Sequence, residues 1–116
     1  MENVTQILTA LADPIRLRSV ALMARQGELC VCETCYALEI AQPKASKHLA
    51  TLRDAGLVKV RRDAQWTFYA LADDLPDWAR AMVDAAIRGL AADATHAADQ
   101  DRLKTMPGRP PRTRVA

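Results

Sequence analysis

Apolar residues recur at helical spacing over most of the chain, and this pattern predicts two helices at its start. The apolar face of the first helix follows the i, i+3, i+4, i+7 spacing and consists of Val4, Ile7, Leu8 and Leu11. The pair Asp13–Pro14 predicts where the second helix begins, because aspartate caps helix N-termini and proline suits the first helical position. Gly27 is expected to end this second helix.

Two more helices and a hairpin are predicted to follow, joined by short connections. The third helix covers about residues 32–40 and the fourth about 43–55, with Gly56 as its stop. Two β-rich runs, 57–62 and 66–71, flank a short polar connection and predict a hairpin. Two closely joined helices followed by a two-stranded hairpin are typical of a winged helix-turn-helix.

The last predicted helix, residues 75–90, has a wider apolar face than one small core requires. We therefore expect it to pack on its own domain and on a second copy of the chain. From about Ala94 the periodicity fades. The sequence thus divides into a winged helix-turn-helix and dimerisation domain at 1–92 and a basic, disordered tail at 93–116. The predicted fold class is mainly α with a β-hairpin (α+β), in the order α-α-α-α-β-β-α.

Length and composition fit one small domain. The chain has 116 residues, of which 50% are hydrophobic but only 4% aromatic, which favours packed helices. No run of about 18 apolar residues is present, so neither a transmembrane helix nor a membrane partner is expected. The first residues lack the basic-then-apolar pattern of a signal peptide. We therefore expect a cytoplasmic protein, in which thiols stay reduced.

Charge is distributed unevenly along the chain. Between positions 43 and 65, six Lys or Arg accompany two Asp, whereas between 71 and 101 seven Asp accompany two Arg. A basic stripe on the fourth helix and basic residues on the hairpin suit the phosphates and base edges of double-stranded operator DNA. The candidate DNA-binding residues are Gln42, Lys44, Ser46, Lys47, His48, Thr51, Arg61, Arg62 and Gln65. The alternative is that this stripe is only the solvated face of an interaction module that does not bind DNA.

Three cysteines, Cys30, Cys32 and Cys35, lie within six residues and are the candidate metal ligands. In a cytosolic protein such a cluster favours metal binding or redox chemistry over a disulfide scaffold. Successive residues of a helix are rotated by about 100°. A regular helix through all three cysteines therefore cannot bring their sulfurs within the roughly 4 Å that a shared ion requires. Either Cys30 lies before the helix and curls back, or the first turn unwinds, and both options couple ligand binding to the helix.

Three thiolates without a neighbouring histidine suit a three-coordinate ion, such as trivalent arsenic or antimony, better than zinc, which takes four ligands. Two alternatives remain. The cysteines are small buried hydrophobes, or the Cys32/Cys35 pair or Cys30 is a redox sensor. No organic cofactor is indicated. An enzyme is not expected, since no nucleophile–base pair, phosphate-binding glycine loop or pair of catalytic carboxylates is found. His96, near Asp99, is expected to be exposed rather than part of a second metal site.

Four segments closely resemble the ArsR/SmtB family of metal-responsive repressors. They are ALADPIRL at 10–17, ELCVCETC at 28–35, QPKASKHL at 42–49 and LRDAGLV at 52–58, within a similarity that spans roughly residues 4–90. The Leu-Cys-Val-Cys-x-x-Cys element is the specific part, and it is similar to the arsenic-responsive branch. The helix-turn-helix alone would indicate only membership of the family.

The resemblance implies a homodimer, joined through its first and last helices, that represses an arsenic-resistance operon including its own gene. It also implies that arsenite or antimonite binding at Cys30, Cys32 and Cys35 releases the repressor from DNA. A related branch senses cadmium, lead or zinc with further thiolates from an N-terminal arm, but no cysteine precedes Cys30 in this sequence. Another branch builds a zinc site on the last helix. Counted from Asp84, its histidine positions fall on alanines here, so that site is expected to be absent.

Overall fold

The computed structural model describes residues 2–111, which form six helices and one small sheet. Met1 and residues 112–116, the end of the predicted tail, lie outside the described residues. The elements are α1 Glu2–Leu11, α2 Pro14–Gln26, β1 Leu29–Cys30, α3 Val31–Leu38, α4 Gln42–Asp54, β2 Val58–Asp63, β3 Trp66–Leu71, α5 Asp77–Gly89 and α6 Ala94–Lys104. The predicted winged helix-turn-helix is confirmed, with α3 and α4 as its two helices and the β2–β3 hairpin as its wing.

The start and end of α2 are fixed by the residues that the sequence predicts. One carboxylate oxygen of Asp13 accepts hydrogen bonds from the amides of Ile15 at 2.8 Å and Arg16 at 3.2 Å. Gly27 ends the helix with a φ of 85°, in the left-handed region that glycine adopts without strain. Residues 20–23 of α2 are buried, so this helix forms the centre of the core.

The sheet contains one strand that the hydrophobic pattern does not reveal. β1 consists only of Leu29 and Cys30 and pairs antiparallel with β3, which gives the strand order β1-β3-β2. Two residues are too few to show the alternation by which a strand is recognised in a sequence. The pairing places Cys30 opposite Phe68, so the cysteine segment is joined directly to the wing.

Residues 94–104 form helix α6, where the fading periodicity predicts a disordered tail. Asp93 caps this helix by accepting two backbone hydrogen bonds, and α6 packs against α2 and α3. Leu103 and Asp99 are fully buried and His96 is only 6% exposed, so the expectation of an exposed histidine is wrong. Packing on two helices stabilises α6 although its own sequence is only weakly amphipathic.

Helices α4 and α5 each lie on the core with one face. The buried face of α4 is the predicted one, formed by Ala45, Leu49 and Leu52, and α5 buries Ala79 and Val83. The opposite face of α4 is therefore left to solvent. None of the helices within residues 2–111 is long and apolar enough to cross a membrane.

Candidate DNA-binding surface and thiol site

Helix α4 presents its polar side chains away from the core because its apolar residues all lie on the opposite side. Lys44, Lys47 and Thr51 are exposed, and the Thr51 hydroxyl donates a hydrogen bond to the Lys47 carbonyl at 3.1 Å. The N-cap residue, Ala41, provides no side-chain cap. The amides of Lys44 and Ala45 instead donate to the Ala41 carbonyl, both at 3.1 Å, and the positive end of the helix dipole favours an anion such as a phosphate near this end.

Most of the predicted DNA-binding residues lie on one surface, which we call the α4–wing surface. Gln42 at the start of α4 and Gln65 at the tip of the wing line the same cavity, so these two elements lie side by side. The α4–wing surface consists of the exposed Gln42, Lys44, Lys47, Thr51, Arg62 and Gln65 and the half-buried Ser46.

His48 is held inside the protein rather than presented on this surface. Its side chain is 15% exposed, and a guanidinium nitrogen of Arg16 donates a hydrogen bond to Nδ1 of His48 at 3.1 Å. The same Nδ1 lies 3.9 Å from a carboxylate oxygen of Asp13. His48 therefore connects α4 to the start of α2, which differs from the predicted role of a DNA contact.

Arg61 is also engaged within the protein and is not a free wing cation. Its Nε donates to Glu28 at 3.2 Å and its Nη1 to Asp63 at 3.1 Å, and its guanidinium lies 4.7 Å from the centre of the Phe68 ring. The hydrogen bonds to Glu28, followed by those to Asp63, raise the pKa of Arg61 despite some desolvation. Of the two wing arginines, Arg62 is the one exposed to solvent.

Cys30 is the N-cap residue of α3. Its backbone is extended, with φ −83° and ψ 166°, the residue is 1% exposed, and its Sγ accepts a hydrogen bond from the Glu33 amide at 3.4 Å. The Cys30 amide in turn donates to the Glu33 carboxylate at 2.8 Å, which completes a capping box. Cys30 therefore lies before the helix, which is the starting position of the first of the two options left by helix geometry.

Cys30 and Cys32 are joined by a disulfide, with Cα atoms 5.5 Å apart. The sequence predicts reduced thiols, with either the Cys32/Cys35 pair or Cys30 as the redox alternative. The observed disulfide differs from the expected reduced state, and it involves Cys30 rather than the Cys32/Cys35 pair. Cys35 is free and half-buried, and burial raises the pKa of its thiol. Within residues 2–111 no group of three or more metal-binding side chains is assembled, so the three-cysteine site remains a prediction.

An open cavity of about 200 Å³ connects the sulfurs to the α4–wing surface. It is lined by Cys30, Val31, Cys32, Gln42, Gln65, Trp66 and Thr67. Any group held by the two sulfurs would therefore lie beside the start of α4 and the tip of the wing. The structure thus brings the thiols and two candidate DNA contacts to one place.

Two charged residues beside the thiols are missed by sequence reasoning. Glu33 is completely buried, and its spacing from Cys30 is that of a capping box, so this pattern could have revealed it. The second carboxylate oxygen of Glu33 pairs with Arg109. No local pattern indicates Arg109, because it lies 76 residues away and in the segment predicted to be disordered.

Comparison with known proteins identifies the family. The sequence profile described as bacterial regulatory protein, arsR family, matches residues 13–60. The chain is 45% identical over 105 residues to the arsenic resistance transcriptional regulator ArsR1 of Pseudomonas putida, covering 87% of this chain and 82% of that protein. The chain belongs to the ArsR family. A second ArsR-family relative, the arsenical resistance operon repressor of Escherichia coli, is 46% identical over 72% of this chain and 71% of that protein.

Solved structures agree with the ArsR-family fold. Reduced HlyU from Vibrio cholerae has a TM-score of 0.68 at 33% identity, covering 78% of this chain and 90% of that chain. Mb0332 from Mycobacterium bovis, a homodimeric winged helix-turn-helix DNA-binding domain, has a TM-score of 0.65 at 31% identity, covering 76% and 79%. ArsR-family proteins are DNA-binding transcriptional regulators rather than enzymes. The expectations of a DNA-binding protein and of no enzyme are therefore confirmed. The homodimeric neighbour supports dimerisation.

Proposed function

We propose that this ArsR-family chain represses an arsenic-resistance operon and leaves its operator DNA when As(III) or Sb(III) binds Cys30, Cys32 and Cys35. The relatives from P. putida and E. coli are named for arsenic resistance regulation. The observation that carries the proposal is the position of the cysteines: Cys30 caps α3, the other two lie on α3, and α3 packs on α4. A ligand of the thiols therefore acts on the helix that supports the DNA-reading helix. No organic cofactor is required.

In the proposed complex each subunit places α4 in a major groove of an inverted-repeat operator. The α4–wing surface supplies hydrogen-bond donors and positive charge, with Lys44 and Lys47 suited to phosphates and base edges. Arg62 and Gln65 contact the sugar–phosphate backbone from the tip of the wing. His48 and Arg61 hold α4 and the wing in place from inside, through their contacts with Arg16 and Glu28.

The proposed dimer is joined through α1 and α5, the latter being the helix that the sequence predicts as last. Each of these helices carries a large apolar side chain that the subunit itself does not bury, with Leu8 51% exposed and Trp78 39% exposed. Covering such side chains with a second copy removes apolar surface from water. α6, by contrast, packs on α2 and α3 of its own chain.

The three cysteine thiolates suit a trivalent metalloid. When bound, As(III) or Sb(III) supplies a pyramidal centre that takes three sulfur ligands. The Cys30–Cys32 disulfide must first be reduced, as happens in the cytoplasm, where we place the protein. Cys32 and Cys35 lie three residues apart on α3 and so share one face of the helix. Because Cys30 already curls back to Cys32, the remaining change is to bring all three sulfurs within about 4 Å of one another.

This rearrangement is expected to displace both α4 and the wing, the two parts of the α4–wing surface. Gathering the sulfurs moves Cys30 relative to α3 and so alters the capping box with Glu33. α3 packs directly on α4, and β1, which contains Cys30, pairs with the wing strand β3. A coupling free energy of about 1–3 kcal/mol would weaken operator binding by about 5- to 150-fold.

The Cys30–Cys32 disulfide favours a second candidate, a repressor that responds to thiol oxidation. In that case the two thiols lose two protons and two electrons to a peroxide, which forms the disulfide and either two waters from hydrogen peroxide or one alcohol and one water from an alkyl hydroperoxide. A repressor that responds to cadmium, lead or zinc has less support. Zinc takes four ligands, whereas the chain has only three cysteines.

Binding measurements on the DNA upstream of the gene test the proposal. The protein is reduced with a phosphine and kept anaerobic for separate titrations with arsenite and antimonite, and for a third arm the phosphine is removed before peroxide is added. We expect arsenite or antimonite to release the operator without oxidant, and affinity for operator and random DNA to fall as salt rises. Release by peroxide alone would establish the redox function instead. Equal, salt-independent binding to operator and random DNA would exclude specific DNA recognition.

A further inference from the structure

The C-terminal strap, which we define as residues 94–110, contacts the cysteine-bearing helix α3 at both of its ends. At the N-terminal end Arg109 pairs with the buried Glu33 and also donates a hydrogen bond to the side-chain oxygen of Gln26 at 2.9 Å. Arg109 therefore joins the end of α2 to the first turn of α3. The contact therefore involves Glu33, which is also the residue that completes the capping box with Cys30.

At the C-terminal end of α3, two arginines satisfy backbone carbonyls that have no partner within the helix. Arg102 donates to the Ala37 carbonyl at 2.7 Å, and Arg18 donates to the Leu38 carbonyl at 3.3 Å. The fully buried carboxylate of Asp99 holds both guanidinium groups, each at 2.7 Å. The strap thus fixes α3 through charged side chains at each end.

Glu33 transmits the effect of Arg109 to the thiol site. One of its carboxylate oxygens accepts the Cys30 amide at 2.8 Å, and the other accepts Nε of Arg109. Glu33 is completely buried, and a buried carboxylate is stable only when its charge is paired and hydrogen-bonded. Arg109 therefore keeps Glu33 in the position from which it holds Cys30.

We propose that Arg109 is a positioning residue for the thiol site: through Glu33 it holds Cys30 at the N-cap of α3 and so raises the metalloid concentration needed for release from DNA. The proposal rests on the proposed function. While the capping box is intact, the three sulfurs are not gathered. An interaction that stabilises the box therefore opposes the rearrangement that three-thiolate binding requires.

The test compares Arg109→Gln with wild type in two assays on the reduced protein. In the first, the arsenite concentration for half-release of operator DNA should fall by about two- to thirtyfold, the range for residues on a coupling network. In the second, which needs neither DNA nor arsenite, alkylation of Cys30 by iodoacetamide should be faster by a similar factor. Cys30 is 1% exposed, so its alkylation reports opening of the capping box.

Further variants establish whether the effect passes through Glu33. In a Glu33→Gln background the carboxylate that pairs with Arg109 is gone, so adding Arg109→Gln should produce no further shift in either assay. Arg109→Lys keeps the positive charge at this position, so this variant should behave much like wild type in both assays. Lys104→Gln, also on the strap but exposed, should leave both assays unchanged. Gln26→Ala loosens only the other contact of Arg109 and should give a smaller shift in the same direction.

The outcomes distinguish the role of Arg109 from the proposed function. Wild-type values for Arg109→Gln in both assays would overturn the role of Arg109, as would a full shift that persists in the Glu33→Gln background. A wild-type protein that stays on its operator at every arsenite concentration would overturn the proposed function, while the alkylation assay would still report whether Arg109 holds Cys30. If Arg109→Gln unfolds, Gln26→Ala is measured in the same two assays, and wild-type values for it would overturn the role of Arg109.

Discussion

Cys30 and Phe68 are partners across the ladder between β1 and β3, and Phe68 is in turn the partner of Arg61 on β2. The Arg61 guanidinium packs over the Phe68 ring and is hydrogen-bonded to Glu28, two residues before Cys30. A wing arginine is therefore part of the surroundings of the cysteine segment. In this arrangement Arg61 stabilises the wing, and we propose Arg62, which is exposed, as the wing arginine that contacts DNA.

Replacing Arg61 or Arg62 is expected to change the salt dependence of operator binding in different ways. Arg62→Gln removes a phosphate contact, so the slope of log K against log salt should become shallower by about 0.9. Arg61→Gln leaves Glu28 without its guanidinium partner, so operator affinity should fall with little change in slope. Fluorescence anisotropy titrations at several salt concentrations measure both. A shallower slope for Arg61→Gln would show that Arg61 itself contacts phosphate.

Lys47→Ala is expected to weaken binding to operator and to random DNA together. Lys47 is exposed near the middle of α4, and a lysine that neutralises one phosphate contributes about 0.9 to the salt slope. The same titrations test this, with Lys104→Ala as the matched control because Lys104 is 72% exposed on α6. Unchanged affinity of Lys47→Ala for both DNAs would contradict the assignment of the α4–wing surface.

Cys32→Ser is expected to repress normally but to ignore arsenite. Cys32 is exposed, so the substitution should leave the fold and the operator affinity close to wild type, while removing one of three thiolate ligands. Operator release is measured under reducing conditions across an arsenite titration, alongside the urea-induced unfolding of the variant. Wild-type release by this variant would exclude the three-cysteine site.

Asp13→Ala is expected to lower the free energy of unfolding at neutral pH by about 1 kcal/mol, the usual contribution of an N-cap. Partial burial acts to raise the pKa of Asp13, but hydrogen bonds from the amides of Arg16 and Ile15 and the nearby His48 lower it overall below 3.8. A carboxyl whose pKa is depressed by folding stabilises the protein above its ordinary pKa, and this contribution is lost as pH falls through the folded value. The difference between wild type and Asp13→Ala should therefore shrink below about pH 4.

Urea denaturation at several pH values between 3 and 7 measures this difference. Asp101→Ala is the control, because Asp101 is 77% exposed and its ion pair with Lys104 lies at the surface. An Asp13→Ala penalty that stays constant across this pH range would contradict the role of the ionised carboxylate as the cap.

Local chemistry predicted both ends of α2 and the end of α4 well. The Asp13 cap and Gly27 set the ends of α2, and Gly56, with a φ of 80°, follows α4. Each of these signals acts within a few residues, so the sequence displays it directly. The rotation per residue of a helix left two arrangements open for the cysteines. The observed position of Cys30 before α3 belongs to one of them.

Long-range contacts account for what the sequence did not show. β1 is defined by its pairing with β3, and α6 by Leu103 and Asp99 packing on α2 and α3. The internal roles of His48 and Arg61 depend in the same way on partners 32 and 33 residues away. Helical or basic patterns identify a polar face, but they do not show which of its side chains a distant carboxylate or guanidinium will bind.

The capping role of Cys30 has an evolutionary consequence. Serine is among the best N-cap residues, and one nucleotide change converts a cysteine codon to a serine codon. Under the proposed function, a lineage that acquires Cys30→Ser would keep a well-formed repressor and lose its response to arsenic. Its resistance genes would then stay silent during exposure, and we infer that selection by arsenic, rather than selection for folding, favours a cysteine over a serine at this position.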